Sequence, residues 1–437
     1  MRSRTPKSTN RGNRPGRLEG AWSVVTRRGL IAVGLGAAAG AIASRQALAE
    51  EDGNLPPSIP EWQLQPGEET LSHPYGRPSK FEANVVRRYR DGLPPPPSRL
   101  TSFSLTPLQD LNGIITPNGL HYERHHAGIP TIDPSEHRLI VHGLVERPLI
   151  FTMDELARFP SVSRVHFLEC SGNTQNWGAP KPELTAQDTH GLLSCCEWTG
   201  VALATVLAEA GVKRQAKWML AEGADAAAMT RSIPIEKALD DALLAYAQNG
   251  ERLRPEQGYP LRLLLPGYEG NTNIKWIRRL KLGPAPFQTR EETSKYTELM
   301  PDGVARQFNF VMKAKSVITS PSGGQKLDAP GFYEISGLAW SGSGKVARVE
   351  VSADGGGSWR DAALQEPVMP KCLTRFRAPW RWEGGPATLA SRVTDETGYV
   401  QPSREAILKV RDARSYYHYN GIQNWSVAAG GAVTNAG

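Results

Sequence analysis

The chain has 437 residues, of which 39% are hydrophobic, so it is long enough for two domains with ordinary apolar cores. Its formal charge of +7 originates in the first 49 residues, which hold nine of the 51 basic and one of the 44 acidic residues and leave 42 and 43 for the rest. This balance excludes a bulk electrostatic attraction to nucleic acid or to an anionic membrane surface. Partners must therefore be inferred from local patterns.

Residues 1–49 have the pattern of an export signal of the twin-arginine type. A basic stretch leads into the apolar run of residues 30–43, and residues 47–49 (ALA) fit a signal cleavage site. The apolar run has 14 residues, fewer than the roughly 20 that a bilayer crossing needs, which disfavours the alternative of a membrane anchor. The arginine pair at residues 27–28, in a leader that contains eight arginines, indicates the route for folded proteins. We expect a periplasmic protein without stable membrane insertion.

Residues 50–98 are rich in proline and polar residues, which predicts an extended N-terminal strap. From residue 99 to residue 310 the pattern alternates short strands, as in HRLIVHGLV, with helical stretches, as in TMDELARF and GVALATVLAEAG. Thr152 and Gly211 stand at the cap positions of these two helices. This segment is therefore predicted to be a domain of mixed α and β structure.

From residue 311 to residue 411 the pattern changes to strands and turns. VARVEVS alternates apolar with polar residues, and glycine and proline recur at the breaks, which is typical of a β-sandwich of about 100 residues. Residues 412–437 form an aromatic tail that contains YYHYNGIQNW, and we expect it to pack back on one of the domains. The predicted fold class is α+β.

The four cysteines leave several interpretations open. They are too few for a disulfide framework in so long a chain, and sequence neighbours such as Cys195 and Cys196 rarely pair with each other. The sequence contains no CxxC, zinc-finger or CxxCH motif, so neither a zinc site nor a covalently attached haem is expected. Cys195 and Cys196 are predicted to be buried structural residues near the site, and Cys372 a free thiol. Cys170 directly follows the strand-like run VHFLE. Three interpretations stay open for it: a buried small residue, a nucleophile or a metal ligand.

Three segments, read together with ECSGN around Cys170, carry a family resemblance. They are GLHYERHHAGIP at 119–130, EGADAAAMTRSIPIEKAL at 222–239 and EQGYPLRLLLPGYEGNTNIKWI at 256–277. In this order they resemble the molybdopterin domain of the sulfite oxidase family. VEVSADGGGSW resembles the immunoglobulin-like dimerisation domain of the same family. The resemblance implies a sulfite-oxidase-type molybdopterin domain, a sandwich that dimerises, and a molybdenum-molybdopterin cofactor.

The resemblance also assigns roles to single residues. Cys170 matches the cysteine whose thiolate binds molybdenum, a soft ligand for a soft metal site. Arg124 and Tyr296 match the arginine and the tyrosine that face the sulfur substrate. The residues that match cofactor contacts are Tyr122, Arg124, His126, Cys170, Asp225, Ser232, Gln257, Arg262 and Lys275.

Two departures from the family pattern bear on the substrate. Gln257 stands where relatives often have a histidine, and Thr174 and Gln175 stand where they often have arginines. Fewer cations weaken the attraction for a small dianion such as free sulfite. The sequence therefore favours a bulkier or carrier-bound sulfur group.

Within the family, the chain resembles the molybdenum subunits of bacterial Sox sulfur-oxidising systems, because it has NTQNW, a long strap and no fused haem domain. This implies oxidation of carrier-bound sulfane sulfur or sulfite, with electrons passed to a c-type cytochrome subunit and a sulfur-carrier protein as a further partner. The strap and the aromatic tail are expected to be exposed surfaces that clasp the cytochrome. A sulfoxide-type molybdopterin reductase and a non-catalytic exported binding protein remain alternatives.

Overall fold

The computed structural model describes part of the chain, namely residues 66, 75–88, 100–174, 177–412 and 414–437. The predicted signal of residues 1–49 and most of the predicted strap of residues 50–98 lie outside the described residues. Residues Pro78–Gly437 form one unit. Within the described part of the chain, no helix is both long and apolar enough to cross a membrane.

The first domain is built from short strands and shorter helices. Its strands are β1 (Phe103–Ser104), β2 (Glu123–Arg124), β3 (Leu139–Gly143), β4 (Leu149–Phe151), β5 (Ser161–Glu169), β6 (Leu193–Ala202), β7 (Trp218–Gly223), β8 (Thr230–Pro234), β9 (Leu243–Gln248), β10 (Glu251–Arg252), β11 (Arg262–Leu264), β12 (Ile277–Gly283), β13 (Glu298–Leu299) and β14 (Ala305–Arg306). Its α-helices are α1 (Met153–Leu156), α2 (Ala186–His190), α3 (Leu203–Ala210), α4 (Ile235–Asp240) and α5 (Arg290–Thr293). Four 3₁₀ turns are described at Lys80–Glu82, Asn118–Leu120, Pro255–Gln257 and Gly270–Thr272.

Two five-stranded sheets organise this domain. One has the order β10-β9-β6-β5, with β11 also paired to β9, and the other has the order β4-β3-β12-β7-β8. Strand β12 runs parallel to β3 and antiparallel to β7. Helix α1 begins after the predicted cap Thr152, whose hydroxyl accepts a hydrogen bond from the Glu155 N–H, and α3 ends at Gly211 with φ +70°. Both predicted helices are therefore present.

The second domain is a β-sandwich that extends beyond its predicted end. Its elements are β15 (Lys315–Ser320), β16 (Gly331–Trp340), β17 (Val346–Ser352), β18 (Arg360–Asp361), β19 (Ala363–Leu364), β20 (Thr374–Trp382), β21 (Ala387–Asp395), α6 (Arg404–Leu408), β22 (Asn424–Val427) and β23 (Val433–Asn435). The sheets have the orders β15-β16-β20-β19 and β18-β17-β21-β22-β23. The predicted end at residue 411 is too early, because β22 and β23 belong to the second sheet and Trp425 is fully buried.

The sandwich and the first domain share one apolar core. Phe167 of β5 and Cys195 of β6 belong to the same buried cluster as Trp340 and Phe376 of the sandwich. The Phe167 N–H donates a hydrogen bond to the Lys371 carbonyl at 3.1 Å. Strand β5, whose end leads into Cys170, is therefore held by the sandwich as well as by its own sheet.

Candidate active site

A cleft with about 680 Å³ of empty space lies in the first domain. Eight of the nine predicted cofactor contacts line it, and so does Tyr296. They come from β2 and its flanks, from the turn after β5, from the turn between β7 and β8, from the segments around β11 and before β12, and from the link between α5 and β13. The structure therefore brings together residues that lie up to 174 positions apart, from Tyr122 to Tyr296.

Cys170 lies in a tight turn at the end of β5. Its N–H donates to the Leu192 carbonyl at 3.0 Å, and its carbonyl accepts from the Asn173 N–H at 2.9 Å. Burial raises the pKa of the Cys170 thiol, against the opposing effects of the Gly172 N–H and the Arg124 guanidinium. The side chain lines the cleft and is partly exposed there, so it is accessible to a metal in the cleft.

Arg124 and Tyr296 lie on the same cleft and are both held by protein groups. The Arg124 Nη1 donates to the Ser102 carbonyl at 3.4 Å and to the His125 carbonyl. The Tyr296 hydroxyl lies 3.2 Å from the His126 Nε2. Burial, followed by the nearby Cys170, raises the pKa of Tyr296, so its hydroxyl stays protonated and can donate a hydrogen bond.

Two histidines of the HYERHH segment are neutral. Burial, followed by Lys275, lowers the pKa of His125 to about 3, and burial, followed by Arg124, lowers that of His126 to about 3. The Lys275 Nζ donates to the His125 Nδ1 at 2.9 Å, so the proton of this imidazole is on Nε2, which donates to Glu123 at 3.0 Å. The histidines therefore add no positive charge to the cleft.

Arg262 and Lys275 are the basic residues on this side of the lining, and Arg262 is buried while Lys275 is partly buried. The Arg262 Nη1 donates to the Gln257 carbonyl at 2.9 Å, and Nη2 donates to the Asn273 carbonyl at 3.3 Å. Burial, followed by Arg262, lowers the pKa of Lys275, whose Nζ also donates to the carbonyls of Arg124 and Glu256 at 3.1 and 3.0 Å. These acceptors, together with His125, match the three N–H groups of an ammonium.

Three buried polar atoms in this lining fit a cofactor that brings both an anion and N–H donors. The Arg262 Nε, the His121 Nε2 and the Asn271 Oδ1 have no hydrogen-bond partner among the described residues. The His121 Nδ1 donates to the Tyr122 carbonyl at 2.8 Å, so its Nε2 is an acceptor. A buried donor and a buried acceptor without partners are costly unless a ligand satisfies them. A molybdopterin, with a phosphate and a pterin ring, offers the complementary groups.

Ser232 does not line the cleft. Its hydroxyl donates to the Glu292 carboxylate at 3.0 Å and accepts from the Phe287 N–H at 2.9 Å. The predicted cofactor contact at Ser232 stays a prediction, and the hydroxyl is bonded to Glu292 of α5. Gln257, by contrast, lines the cleft, and its Nε2 donates to the Tyr122 carbonyl at 3.0 Å.

Residues outside the predicted set also line the cleft, among them His121, Asn271 and Trp276. His121 and Trp276 are the sequence neighbours of the predicted residues Tyr122 and Lys275, so adjacency alone could have indicated them. Asn271 lies in a 3₁₀ turn, and no sequence pattern indicated it.

The remaining cysteines are buried away from the cleft lining. The Cys195 Sγ lies 3.4 Å from the Cys372 Sγ, and the Cys196 Sγ donates to the Thr116 carbonyl at 3.4 Å. All four cysteines are free thiols in the structure. Cys195 and Cys196 are buried, as predicted, and neither lines the cleft, while their place near the pterin stays a prediction.

The aromatic tail is largely buried, which corrects the expectation of an exposed clasp. Tyr419 stacks on Trp177 with ring centroids 4.6 Å apart, and Trp425 is fully buried in the sandwich. Tyr416 is 49% exposed, and the ring centroid of Tyr417 lies 5.1 Å from that of Tyr296. The tail therefore forms part of the surroundings of the site.

Comparisons with known proteins agree with this geometry. The family model described as "Oxidoreductase molybdopterin binding domain" matches residues 126–291, and that described as "Mo-co oxidoreductase dimerisation domain" matches residues 306–424. The chain is 31% identical to the mitochondrial sulfite oxidase of Homo sapiens over 344 residues, which cover 74% of this chain and 60% of that protein. It is 32% identical to the NADH nitrate reductase of Ulva prolifera over 311 residues, which cover 62% of this chain and 34% of that protein. The chain thus spans between a third and three fifths of the length of these relatives.

A solved structure matches over a larger share of the chain. It is the sulfane dehydrogenase SoxCD from Paracoccus pantotrophus, with a TM-score of 0.83 and 47% identity, and the match covers 86% of this chain and 97% of that chain. The order of the two domains agrees with the order of the two family models. The chain therefore belongs to the sulfite oxidase family of molybdopterin oxidoreductases, and its cofactor is molybdenum held by molybdopterin.

Proposed function

We propose that the protein is a periplasmic, molybdenum-dependent dehydrogenase that oxidises carrier-bound sulfane sulfur or sulfite and passes the electrons to a c-type cytochrome subunit. The observation that carries the proposal is the meeting of Cys170, Arg124 and Tyr296 at one cleft. The 47% identity to a sulfane dehydrogenase supports the choice of a sulfur substrate. In this proposal Cys170 holds the metal, and Arg262, Lys275 and Gln257 hold the pterin.

The bound cofactor supplies the oxygen-transfer and two-electron redox chemistry, and the chain supplies binding and orientation. The Arg124 guanidinium, fixed through Nη1, can take two oxygens of a sulfur oxyanion with its remaining N–H groups. The Tyr296 hydroxyl donates to the same oxyanion, because its raised pKa keeps it protonated. Together these groups orient the sulfur toward the metal bound to Cys170.

The charge of the cleft supports a carrier-bound substrate over a free small dianion. His125 and His126 are neutral, and the position that follows the cysteine motif is Thr174, a buried and uncharged side chain. Gln175, the second such position, lies outside the described residues. With Arg262 and Lys275 assigned to the pterin, Arg124 is the lining cation left for the substrate. Long-range attraction for free sulfite is then weak, and delivery on a carrier protein compensates for that weakness.

Steady-state kinetics of the purified full chain with its cytochrome subunit tests the proposal. We expect the kcat/KM for thiosulfate loaded on a carrier protein to exceed that for free sulfite by about tenfold or more, since Arg124 alone among the lining cations is left to attract a free dianion. Nitrate and a sulfoxide, each supplied with a reduced dye, serve as the competing substrates. Faster reduction of either one than oxidation of both sulfur compounds would overturn the proposal.

A cytochrome partner follows from the redox chemistry. The sequence has no CxxCH motif, so the proposed electrons leave through a separate haem protein. Purification of the native protein should bring a haem-stained polypeptide in a fixed ratio. If the chain alone reduces mitochondrial-type cytochrome c as fast as the complex does, this part of the proposal fails.

A further inference from the structure

The turn that presents Cys170 is held by buried polar groups from distant parts of the chain. We call residues Cys170–Asn173 the cysteine loop. Glu169 precedes the loop, and Ser171 lies within it. Each of these two residues is bonded to the sandwich or to the tail, so the loop is held from both sides.

On the first side, the carboxylate of Glu169 is bonded to the sandwich. Its Oε1 accepts from the Lys315 Nζ at 3.0 Å and from the Asn173 Nδ2 at 2.9 Å, and its Oε2 accepts from the Trp340 Nε1 at 2.7 Å. Glu169 is fully buried and Lys315 is 1% exposed. Lys315 begins β15, Trp340 ends β16, and the two residues face each other in register. One edge of the sandwich therefore fixes both the entry to the loop and its last residue.

On the second side, Ser171 is bonded to the tail and to the wall of the cleft. Its carbonyl accepts from the His418 N–H at 2.8 Å, and its hydroxyl accepts from the Asn271 Nδ2 at 3.0 Å. The buried Glu269 joins these two donors, because its Oε2 accepts from the His418 Nε2 at 2.8 Å and from the Asn271 Nδ2 at 2.6 Å. Arg231 pairs with the same carboxylate at 3.1 Å.

Stability alone does not account for the buried pair of Glu169 and Lys315. Taking two charges out of water costs several kcal/mol per ion, and apolar replacements of similar volume are often as stable. The surroundings are apolar, since Phe167 and Trp340 belong to the core that the two domains share. The pair instead fixes the conformation of the cysteine loop, because a carboxylate that accepts from three fixed donors restricts the loop to one geometry.

We propose that Lys315, Trp340 and His418 are positioning residues for the Cys170 thiol, so that the sandwich and the tail complete the metal site of the first domain. None of the three lines the cleft. Each acts through Glu169 or Ser171, the two neighbours of Cys170 in the chain. The sandwich then has a role at the metal in addition to dimerisation, whichever substrate the enzyme oxidises.

The test compares four variants of the cofactor-loaded full chain by electron paramagnetic resonance of the one-electron-reduced metal. The spectrum of this metal depends on the orientation of the cysteine sulfur that binds it. Lys315→Met leaves Glu169 buried without its counter-charge, and Trp340→Phe removes one N–H donor while keeping an aromatic ring. Lys315→Met combined with Glu169→Gln removes both charges and keeps one acceptor oxygen, which serves either Trp340 or Asn173 but not both. Lys237→Met is the matched control, since it removes a buried lysine that pairs with Asp241 at 2.5 Å and does not line the cleft.

We expect Lys315→Met and Trp340→Phe to shift the principal g-values and to split the spectrum into more than one species. The paired variant of Lys315 and Glu169 should return part of the way toward the wild-type spectrum. Lys237→Met should keep the wild-type spectrum, and Asp241 then still pairs with Lys371 at 2.5 Å. If Lys315→Met does not fold, the spectra of Trp340→Phe and of the paired variant test the positioning role. Wild-type spectra in every variant that folds would overturn the proposal. The readout needs bound metal but no substrate, so its failure is distinct from failure of the proposed function.

Discussion

At the scale of single residues, the cleft combines fixed donors with uncharged imidazoles. Arg124 and Lys275 are held by backbone carbonyls, and His125 and His126 are neutral because burial lowers their pKa. Such fixed donors need little reorganisation when charge develops on a substrate. The chemistry of the site therefore depends on a few side chains whose positions are set before the substrate arrives.

Tyr296→Phe should lower kcat/KM for the sulfur substrate by about 100-fold, because it removes one donor aimed at the developing charge. The packing of the ring against Tyr417 and over Arg231 is kept. Steady-state kinetics at equal molybdenum content measures the effect. Tyr333→Phe is the control, since that hydroxyl donates to the Ala329 carbonyl in the sandwich and should leave kcat/KM unchanged. An unchanged kcat/KM in Tyr296→Phe would show that the hydroxyl has no such role.

Cys195→Ser combined with Cys196→Ser should retain molybdenum, because neither thiol lines the cleft. The buried hydroxyls should lower the free energy of unfolding by about 1–3 kcal/mol each. Cys170→Ser should have the opposite effect, with nearly unchanged stability but little bound molybdenum. Metal analysis and thermal unfolding of the wild type, the double variant and Cys170→Ser distinguish loss of stability from loss of metal. Loss of metal from a folded double variant would contradict a purely structural role for Cys195 and Cys196.

The sequence indicated single residues well where a motif carries them and poorly where a side chain has to reach across the fold. HYERHH and ECSGN located Arg124, His126 and Cys170. Lys315 was not indicated, because it lies 146 residues from Glu169 and no local pattern shows which buried carboxylate it meets. For Ser232 the motif predicts a cofactor contact, but a strand position does not tell whether the side chain faces the cleft or, as in the structure, Glu292.

At the scale of elements, the tail is the segment whose role changed most between sequence and structure. YYHYNGIQNW suggests an exposed aromatic surface. In the structure, His418 has φ +59° and directs its N–H to Ser171, while its ring lies between Glu269 and Glu298. A turn stabilised by two carboxylates far away in the chain cannot be recognised from local composition.

His418 should make the stability of the protein depend on pH. Burial lowers the pKa of His418, but Glu269 and Glu298 outweigh burial and raise it above its ordinary value of 6.5. Arg231 and Arg411 face the same group and pair with these carboxylates at 3.1 and 2.9 Å. A raised pKa in the folded state means that folding takes up a proton, so this stabilisation is fully present below pH 6.5 and is lost as the pH rises through the folded-state pKa.

Urea unfolding between about pH 6 and pH 9 measures this effect, since stability follows the difference in bound protons between the two states. The free energy of unfolding of the wild type should fall more steeply over this range than that of His418→Gln. Parallel curves for the two proteins would mean that His418 folds without its extra proton.

At the scale of the whole molecule, the two domains are predictable in kind and in order, but their connection is not. Strand-and-turn patterning predicts the sandwich, and alternating patterns predict the mixed domain. Phe167 and Cys195 pack with sandwich residues in the shared core. These tertiary contacts cannot be predicted from the periodic pattern of apolar residues in the sequence. The predicted end at residue 411 was too early for the same reason, because β22 and β23 follow a segment that resembles a loop.

The shared core determines how self-association should be tested. A truncation after the first domain would expose the apolar side chains that now face the sandwich, so the full chain is the proper sample. We expect sedimentation to give about twice the mass of one chain, as a family dimerisation domain implies. A single-chain mass at micromolar concentrations would contradict dimerisation through the sandwich.

The central claim is that this chain binds molybdenum through molybdopterin in the cleft around Cys170. Molybdenum and pterin analysis of the purified, fully matured protein tests it most directly. We expect about one molybdenum and one pterin per chain, since Cys170 is the one cysteine among the described residues that line the cleft. Less than about a tenth of an equivalent of either one, in protein that is folded and was produced with an active cofactor supply, would contradict the account.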